Sequence, residues 1–223
     1  MYFLVNKLLK ESQFYIYTSF IRLKKLFLRS YFFTMRFFIF IFFFFSLQVI
    51  IAQETYTPTK IQENEVVMDG ILSEKIWKNA TKIPLDIEFS PANNLQAKKK
   101  TTAYISYSNT FLFIAVHAED DPKNIRGSIR PRDDFNIWND DLVMVRLDPF
   151  ADARNNLALA VNSLGSQFDV KQVNALSDSD RYDSTFNMNF ESKSAVINDG
   201  YTVEMKIPFS EIPFPNGTDQ EWH

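Results

Sequence analysis

The 223-residue sequence contains no cysteine. That excludes disulfides, Cys-ligated zinc and a thiol nucleophile together. Histidine is almost as scarce: there are two, His117 and His223. A two-His metal site or a Ser-His-Asp triad has one practical histidine, His117, to draw on. Glycine numbers five, and there is no GxGxxG or P-loop pattern, so a phosphate-cradling loop is not expected. An enzyme built on this chain would have to run on carboxylates.

Acidic residues are missing from one end. Residues 1–52 hold Glu11 alone against Lys7, Lys10, Arg22, Lys24, Lys25, Arg29 and Arg36, and they hold 13 of the 23 Phe. The remaining 171 residues (223 − 52) carry 17 Lys/Arg (24 − 7) and 26 Asp/Glu (27 − 1), a net charge of −9. An acidic domain argues against nucleic acid and anionic membrane surfaces as partners. Its length suits one domain with a full core.

From Met35 the chain reads MRFFIFIFFFFSLQVIIAQE. One Arg, an apolar run and Ala52 before Gln53 make residues 35–52 an export signal, if Met35 is the true start. Residues 1–34 are then an upstream mis-start. If they are translated, they form a cytoplasmic tail, and 35–52 becomes a membrane anchor with its basic end inside. Both readings export residues 53–223, to the periplasm, the outer membrane or the medium. Residues 53–64 read as a polar linker.

Beyond the linker the elements are short. Val66–Met68 reads as a strand turned by Asp69-Gly70, and Ser73 as the cap of a helix over Glu74 to Ala80. Leu72, Ile76, Trp77 and Ala80 share one face of that helix, with Trp77 an anchor to the core. Alternation gives strands at Leu85–Phe89, Thr101–Tyr107, Phe111–Ala118, Leu142–Leu147, Leu157–Val161 and Gln167–Val173. A further strand is expected around Phe186, Met188 and Phe190. Ser194–Ile197 and Tyr201–Ile207 flank Asn198-Asp199-Gly200 as a hairpin. Glu119-Asp120-Asp121-Pro122 is either an oxygen-rich cation site or a strand end capping a helical turn. The spacing predicts an all-β protein, a sandwich of short strands with one or two short helices behind the apolar N-terminal segment.

The stretch Arg132 to Pro149, RDDFNIWNDDLVMVRLDP, concentrates charge around Trp138 and then enters a core strand. Trp138 is either a stacking platform or a ring closing the sandwich end. Arg130, Arg132, Asp133 and Asp134 either orient ligand hydroxyls or pair with one another across a turn. One of Asp140 and Asp141 is expected to be a structural partner of a backbone N–H or an Arg.

Five motifs occur in order: VVMDGILSEKIWKNA, AYISYSNTFLFIAVHAEDD, IWNDDLVMVRLDP, LAVNSLGSQFDV and DGYTVEMKIPFSEI. Together, over residues 60–222, they resemble the carbohydrate-binding module family 9-like domain. The version most alike stands at the N-terminus of exported Bacteroidetes proteins, ahead of an outer-membrane barrel of unknown function. The resemblance implies an antiparallel jelly-roll β-sandwich over residues 65–223. It implies C-terminal truncation as well, since the family would start another strand near Gln220. It implies glycan binding as an accessory to carbohydrate catabolism, with a barrel or a hydrolase domain as the missing partner. Trp138 would stack, while Arg130, Arg132, Asp134 and Gln167 would supply polar contacts. The family's sugar-binding members clamp the sugar between two Trp; Trp77 belongs to the opening motif and Trp222 to the end, so the second is lacking. The family's structural calcium sites suggest a Ca²⁺ loop at Asp148, Asp152 and Asn155, without EF-hand spacing. Glycoside hydrolysis needs two carboxylates across a cleft. Among 26 acids such a pair can always be found, so binding is expected rather than catalysis.

Overall fold

The computed structural model describes Arg36 and residues 54–223 other than 92, 175, 178–180 and 218. The segments read as a mis-start or tail and as a signal or anchor lie, Arg36 apart, outside the described residues. Among the described residues no helix is long and apolar enough to cross a membrane. The chain divides into two units, Met1–Thr55 and Tyr56–His223; the second is an all-β sandwich.

Its strands are β1 (Thr59–Lys60), β2 (Thr81–Pro84), β3 (Ile87–Glu88), β4 (Leu95–Gln96), β5 (Thr101–Tyr107) and β6 (Phe111–Glu119). They continue with β7 (Leu142–Leu147), β8 (Asn155–Asn162), β9 (Gln167–Val173), β10 (Tyr182–Asp183), β11 (Glu191–Ile197) and β12 (Gly200–Pro208). One sheet runs β1-β5-β6-β12-β11, with β2 also on β5; the other runs β10-β9-β8-β7; β3 and β4 form a separate ribbon. The β1–β5 pair is parallel and the other pairs are antiparallel. Among the described residues the helix α1 (Lys75–Asn79) and four 3₁₀ turns accompany the strands.

Alternation explains the long strands. In β7 and β8, Val143, Leu147, Leu157, Leu159 and Val161 face the opposite sheet, where Leu112, Ile114, Val116, Val203, Met205 and Ile207 meet them. Each outer face carries a smaller cluster. Ile76, Trp77 and Ala80 cover Phe113 and Ala115 on one sheet. Ile137 covers Ala158, Ala160, Phe168 and Val170 on the other. The opening motif is latched to β12: the Trp77 indole N–H donates to Glu204 Oε1 at 2.8 Å, and the Gly70 N–H donates to Oε2 at 2.7 Å. Gly70 sits at φ +87 with its α-carbon against the Ser194 backbone, so a side chain there has neither the conformation nor the room.

Several expectations are corrected. Val66–Met68 forms no strand, and Val66 packs under α1 instead. Helix α1 is preceded by Glu74 with no side-chain cap bond, so Ser73 is not its cap. Of Leu85–Phe89 only Ile87–Glu88 pairs, as part of the ribbon. The strand expected at Phe186–Phe190 is absent. There the Met188 N–H donates to the Asp169 carboxylate at 2.6 Å, so a side chain takes the place of a ladder partner. Within the segment read as linker, Thr59 and Lys60 join the sheet. The acidic run ends as a cap: Asp121 Oδ1 accepts from the Lys123 N–H at 3.0 Å ahead of the turn Pro122–Asn124.

Candidate functional site

The stretch Asp134 to Asp140 folds as a 3₁₀ turn over Phe135–Asn139. Asp134 starts it by accepting from the Asn136 N–H at 2.9 Å and the Asn136 side chain at 2.8 Å. Those bonds, with the Arg130 charge, hold its carboxyl below the usual range. In a 3₁₀ turn residues i and i+3 eclipse, and here those residues are Phe135 and Trp138. Between them Ile137 is buried against the outer face of β8 and β9. Both rings stand edge-on to Phe168 of β9: Phe135 at 5.2 Å and 72°, Trp138 at 5.5 Å and 68°. Phe135 is 60% exposed and Trp138 48%. Two large apolar rings are thus fixed by a buried third ring and presented to water. Asn136 and Asn139 of the same turn are exposed as well.

The charged candidates lie differently. Arg130 is bound to Asp140 by two hydrogen bonds, 2.8 Å from Nε and 3.0 Å from Nη2. Asp140 also accepts from Asn162 at 2.8 Å and from the Ser128 N–H at 3.3 Å. Arg130 first, then these donors, hold the Asp140 carboxyl at about 2 against the opposing pull of burial. The pairing expected among Arg130, Arg132, Asp133 and Asp134 is present only as the longer contacts Arg130–Asp134 and Arg132–Asp133, each 3.7 Å; the tight partner of Arg130 is Asp140, outside that set. That bond makes Asp140 the structural carboxylate of the Asp140-Asp141 pair, although Asp141 Oδ2 accepts from the Arg126 N–H at 2.7 Å in the same manner.

Arg132 and Gln167 sit on the other side of β9. Asp169 pairs with Leu159 and Gln167 with Val161, so their side chains share the core-facing surface, opposite Phe168. Arg132 donates to Gln167 Oε1 at 2.8 Å, to Asp169 Oδ1 at 2.5 Å and to the Met188 carbonyl. Its guanidinium lies 5.3 Å from the Phe190 ring centre. Gln167 donates onward to Phe190 O and Ser192 Oγ. Burial pushes the fully enclosed Asp169 carboxyl up, against the lowering by the Met188 N–H and Arg132. The structure therefore brings Arg132 and Gln167 together, and Arg130 with Asp134 at 3.7 Å. It separates the Arg132–Gln167 pair from Trp138 by the thickness of β9.

Phe135 is a candidate that the sequence reading passed over. The signal was available: two rings three apart, directly after a capping Asp. A depression of about 430 Å³ lies elsewhere, between β1 and α1, lined by Lys60, Glu65 and Lys75 among others and by no aromatic ring.

The calcium expectation can be set against the 148–155 loop. Asp148 Oδ1 accepts from the Phe150 N–H at 3.3 Å and Oδ2 from the Ala153 N–H at 2.6 Å. Asp152 accepts from the Arg154 N–H at 2.8 Å, and Asn155 has entered β8. N–H groups point at the oxygens a cation would need. Among the described residues no group of three or more His, Cys, Asp or Glu is placed to hold a metal ion. The Asp148 and Asp152 carboxylates thus serve the loop's own backbone N–H groups.

The model of the carbohydrate family 9 binding domain-like family matches residues 68–221. The chain belongs to that family. Two solved structures of a carbohydrate binding module family 9 from Caldicellulosiruptor kristjanssonii are similar to it. The cellotriose complex is 20% identical over 74% of this chain and 72% of that one, with a TM-score of 0.47. The glucose complex is 21% identical over 73% and 74%, with a TM-score of 0.46. A candidate carbohydrate-binding protein from Bacteroides uniformis is 12% identical over 74% and 78%, with a TM-score of 0.50; that likeness is one of fold. Among curated proteins there is no match. The span matched to family 9 takes in the opening latch, the ring-bearing turn and the β11–β12 hairpin alike.

Proposed function

We propose that this domain binds carbohydrate, with Trp138 and Phe135 as its stacking platform. The observation that carries the reading is the pair of exposed rings fixed on Phe168 in a chain of the family 9 binding domain-like type. A sugar ring offers a flat C–H face that pairs with an aromatic face, and preformed ring positions lower the ordering cost of binding. Arg130 and Asp134 act by positioning the turn. Arg132 and Gln167 act by fixing β9 beneath Phe168. The domain is a binding module, accessory to carbohydrate breakdown by an associated hydrolase or to uptake at an outer-membrane barrel. It works outside the cytoplasm, a reading supported by the signal-like stretch 35–52. Isothermal titration against cello-, xylo- and manno-oligosaccharides tests the binding. Heat on mixing with at least one series, lost in Trp138→Ala, is expected; a folded protein silent with all of them would sink it. Peptide mapping tests the export route, with Gln53 expected as the first residue.

A further inference from the structure

The rings at the turn are not the only aromatic surface on that side of the sheet. Phe168, Val170 and Gln172 alternate along β9, and the first two belong to the outer-face cluster with Ile137. Tyr182 of β10 pairs directly with Gln172. Cross-strand partners project to the same face, so Tyr182 stands on the face that carries Trp138 and Phe135. It is 50% exposed. Its neighbour Asp183 points to the other face and is taken up by the Thr185 N–H and hydroxyl at 3.0 and 2.6 Å.

The spacing is set by the strand. Phe168 and Gln172 are four residues apart, about 13 Å at the rise of an extended chain, and Tyr182 is one strand farther out, about 5 Å sideways. That is wider than one pyranose ring and within the length of a trisaccharide. On the opposite flank, Arg146 of β7 is exposed and pairs with Ala158, a residue of the same outer-face cluster. The face therefore offers a ring at each end and a guanidinium, a hydroxyl-binding group, along one side.

We propose that Tyr182 forms a second sugar subsite, and that the ligand is an extended chain of trisaccharide length or more lying across the outer face of the four-stranded sheet. A lone terminal sugar would leave Tyr182 unused. This rests on the carbohydrate-binding reading and adds to it the length and course of the ligand.

The test is titration of the whole chain with each oligosaccharide series from mono- to pentasaccharide, in the native protein and in Tyr182→Ala, Tyr182→Phe and Trp138→Ala. In the series that binds, affinity should rise about tenfold or more between di- and tetrasaccharide, which is about 1.4 kcal/mol. Tyr182→Ala should remove that rise and leave the disaccharide affinity unchanged. Tyr182→Phe should keep it, and Trp138→Ala should weaken binding at every length. Affinity flat with length, or a rise that survives Tyr182→Ala, overturns the second subsite while the Trp138 platform stands. Silence with every series by a protein of unchanged circular dichroism overturns both.

Discussion

Two tryptophans divide the molecule. Trp77 lies on the outer face of one sheet and is 1% exposed; Trp138 lies on the outer face of the other and is 48% exposed. Each is brought there by a short helical turn with an isoleucine tucked beneath it, Ile76 in one case and Ile137 in the other. The difference is the treatment of the polar edge. The Trp77 N–H reaches into the protein and finds Glu204, which is itself fully buried and also takes the Asp69 and Gly70 N–H groups. Trp138 has its ring against Phe168 and stays half exposed to water. An indole that satisfies its N–H internally is a structural pin. One that packs by ring contact and is left half open keeps apolar surface that a ligand could cover, as proposed for Trp138.

That contrast can be broken at several points. Trp77→Ala removes a fully buried ring and leaves Glu204 Oε1 without its donor, while Oε2 keeps the Asp69 and Gly70 N–H groups. The expected loss is about 3–5 kcal/mol of stability, read by urea unfolding. Glycan affinity of the molecules that remain folded should not change.

Arg130→Ala strands a buried carboxylate at Asp140 and should cost about 3 kcal/mol. The native pair carries its own pH signature. The Asp140 carboxyl is held at about 2, below its ordinary value, so the unfolded chain takes up its proton first. The stability from this group is full above about pH 4 and is lost as pH falls toward 2. Thermal melts between pH 2 and 5 should steepen in the native protein and flatten in Asp140→Asn.

Glu204 runs the other way. Burial raises its carboxyl to about 7, against the lowering by its N–H donors. Between about pH 4.5 and 7 the folded protein therefore binds more proton than the unfolded chain. Stability should fall as pH rises through that window, by up to about 3 kcal/mol, and level off above it. Denaturation at pH 5, 6, 7 and 8 checks the slope, and Glu204→Gln should remove it. A slope unchanged in that variant would assign the titration to another group.

The smallest stability effect belongs to the exposed ring. Trp138→Ala should cost about 1 kcal/mol or less, because the ring is half in water, while glycan affinity falls about tenfold or more. If stability collapses as it does for Trp77→Ala, Trp138 is a pin as well and the contrast is gone.

Much of the fold was legible in the residues. β5, β7 and β9 occupy the spans their alternation predicts, and the β11–β12 hairpin turns at Asn198-Asp199 as expected. The capping role of Asp121 before Pro122 was one of two readings that its own chemistry allowed. Phe186–Phe190 was misjudged because alternation reports burial, and Met188 and Phe190 are indeed buried. Pairing is a separate matter, decided there by the Asp169 carboxylate. Of the site, Trp138 and its charged surroundings could be found in the sequence. The sorting of those charges could not, since Arg132 and Trp138 are six residues apart but meet opposite faces of one strand.

The sequence by itself determined where most of the long strands run, where the β11–β12 hairpin turns and that the domain is acidic and free of cysteine, because these depend on side-chain period, turn chemistry and composition. Tertiary structure alone decided what each residue meets. It buried Glu204 by folding the opening motif over β12. It turned Arg132 into a brace for β9, and it set Phe135 beside Trp138 on Phe168. Such outcomes depend on contacts between segments tens of residues apart, and a local pattern contains no term for them.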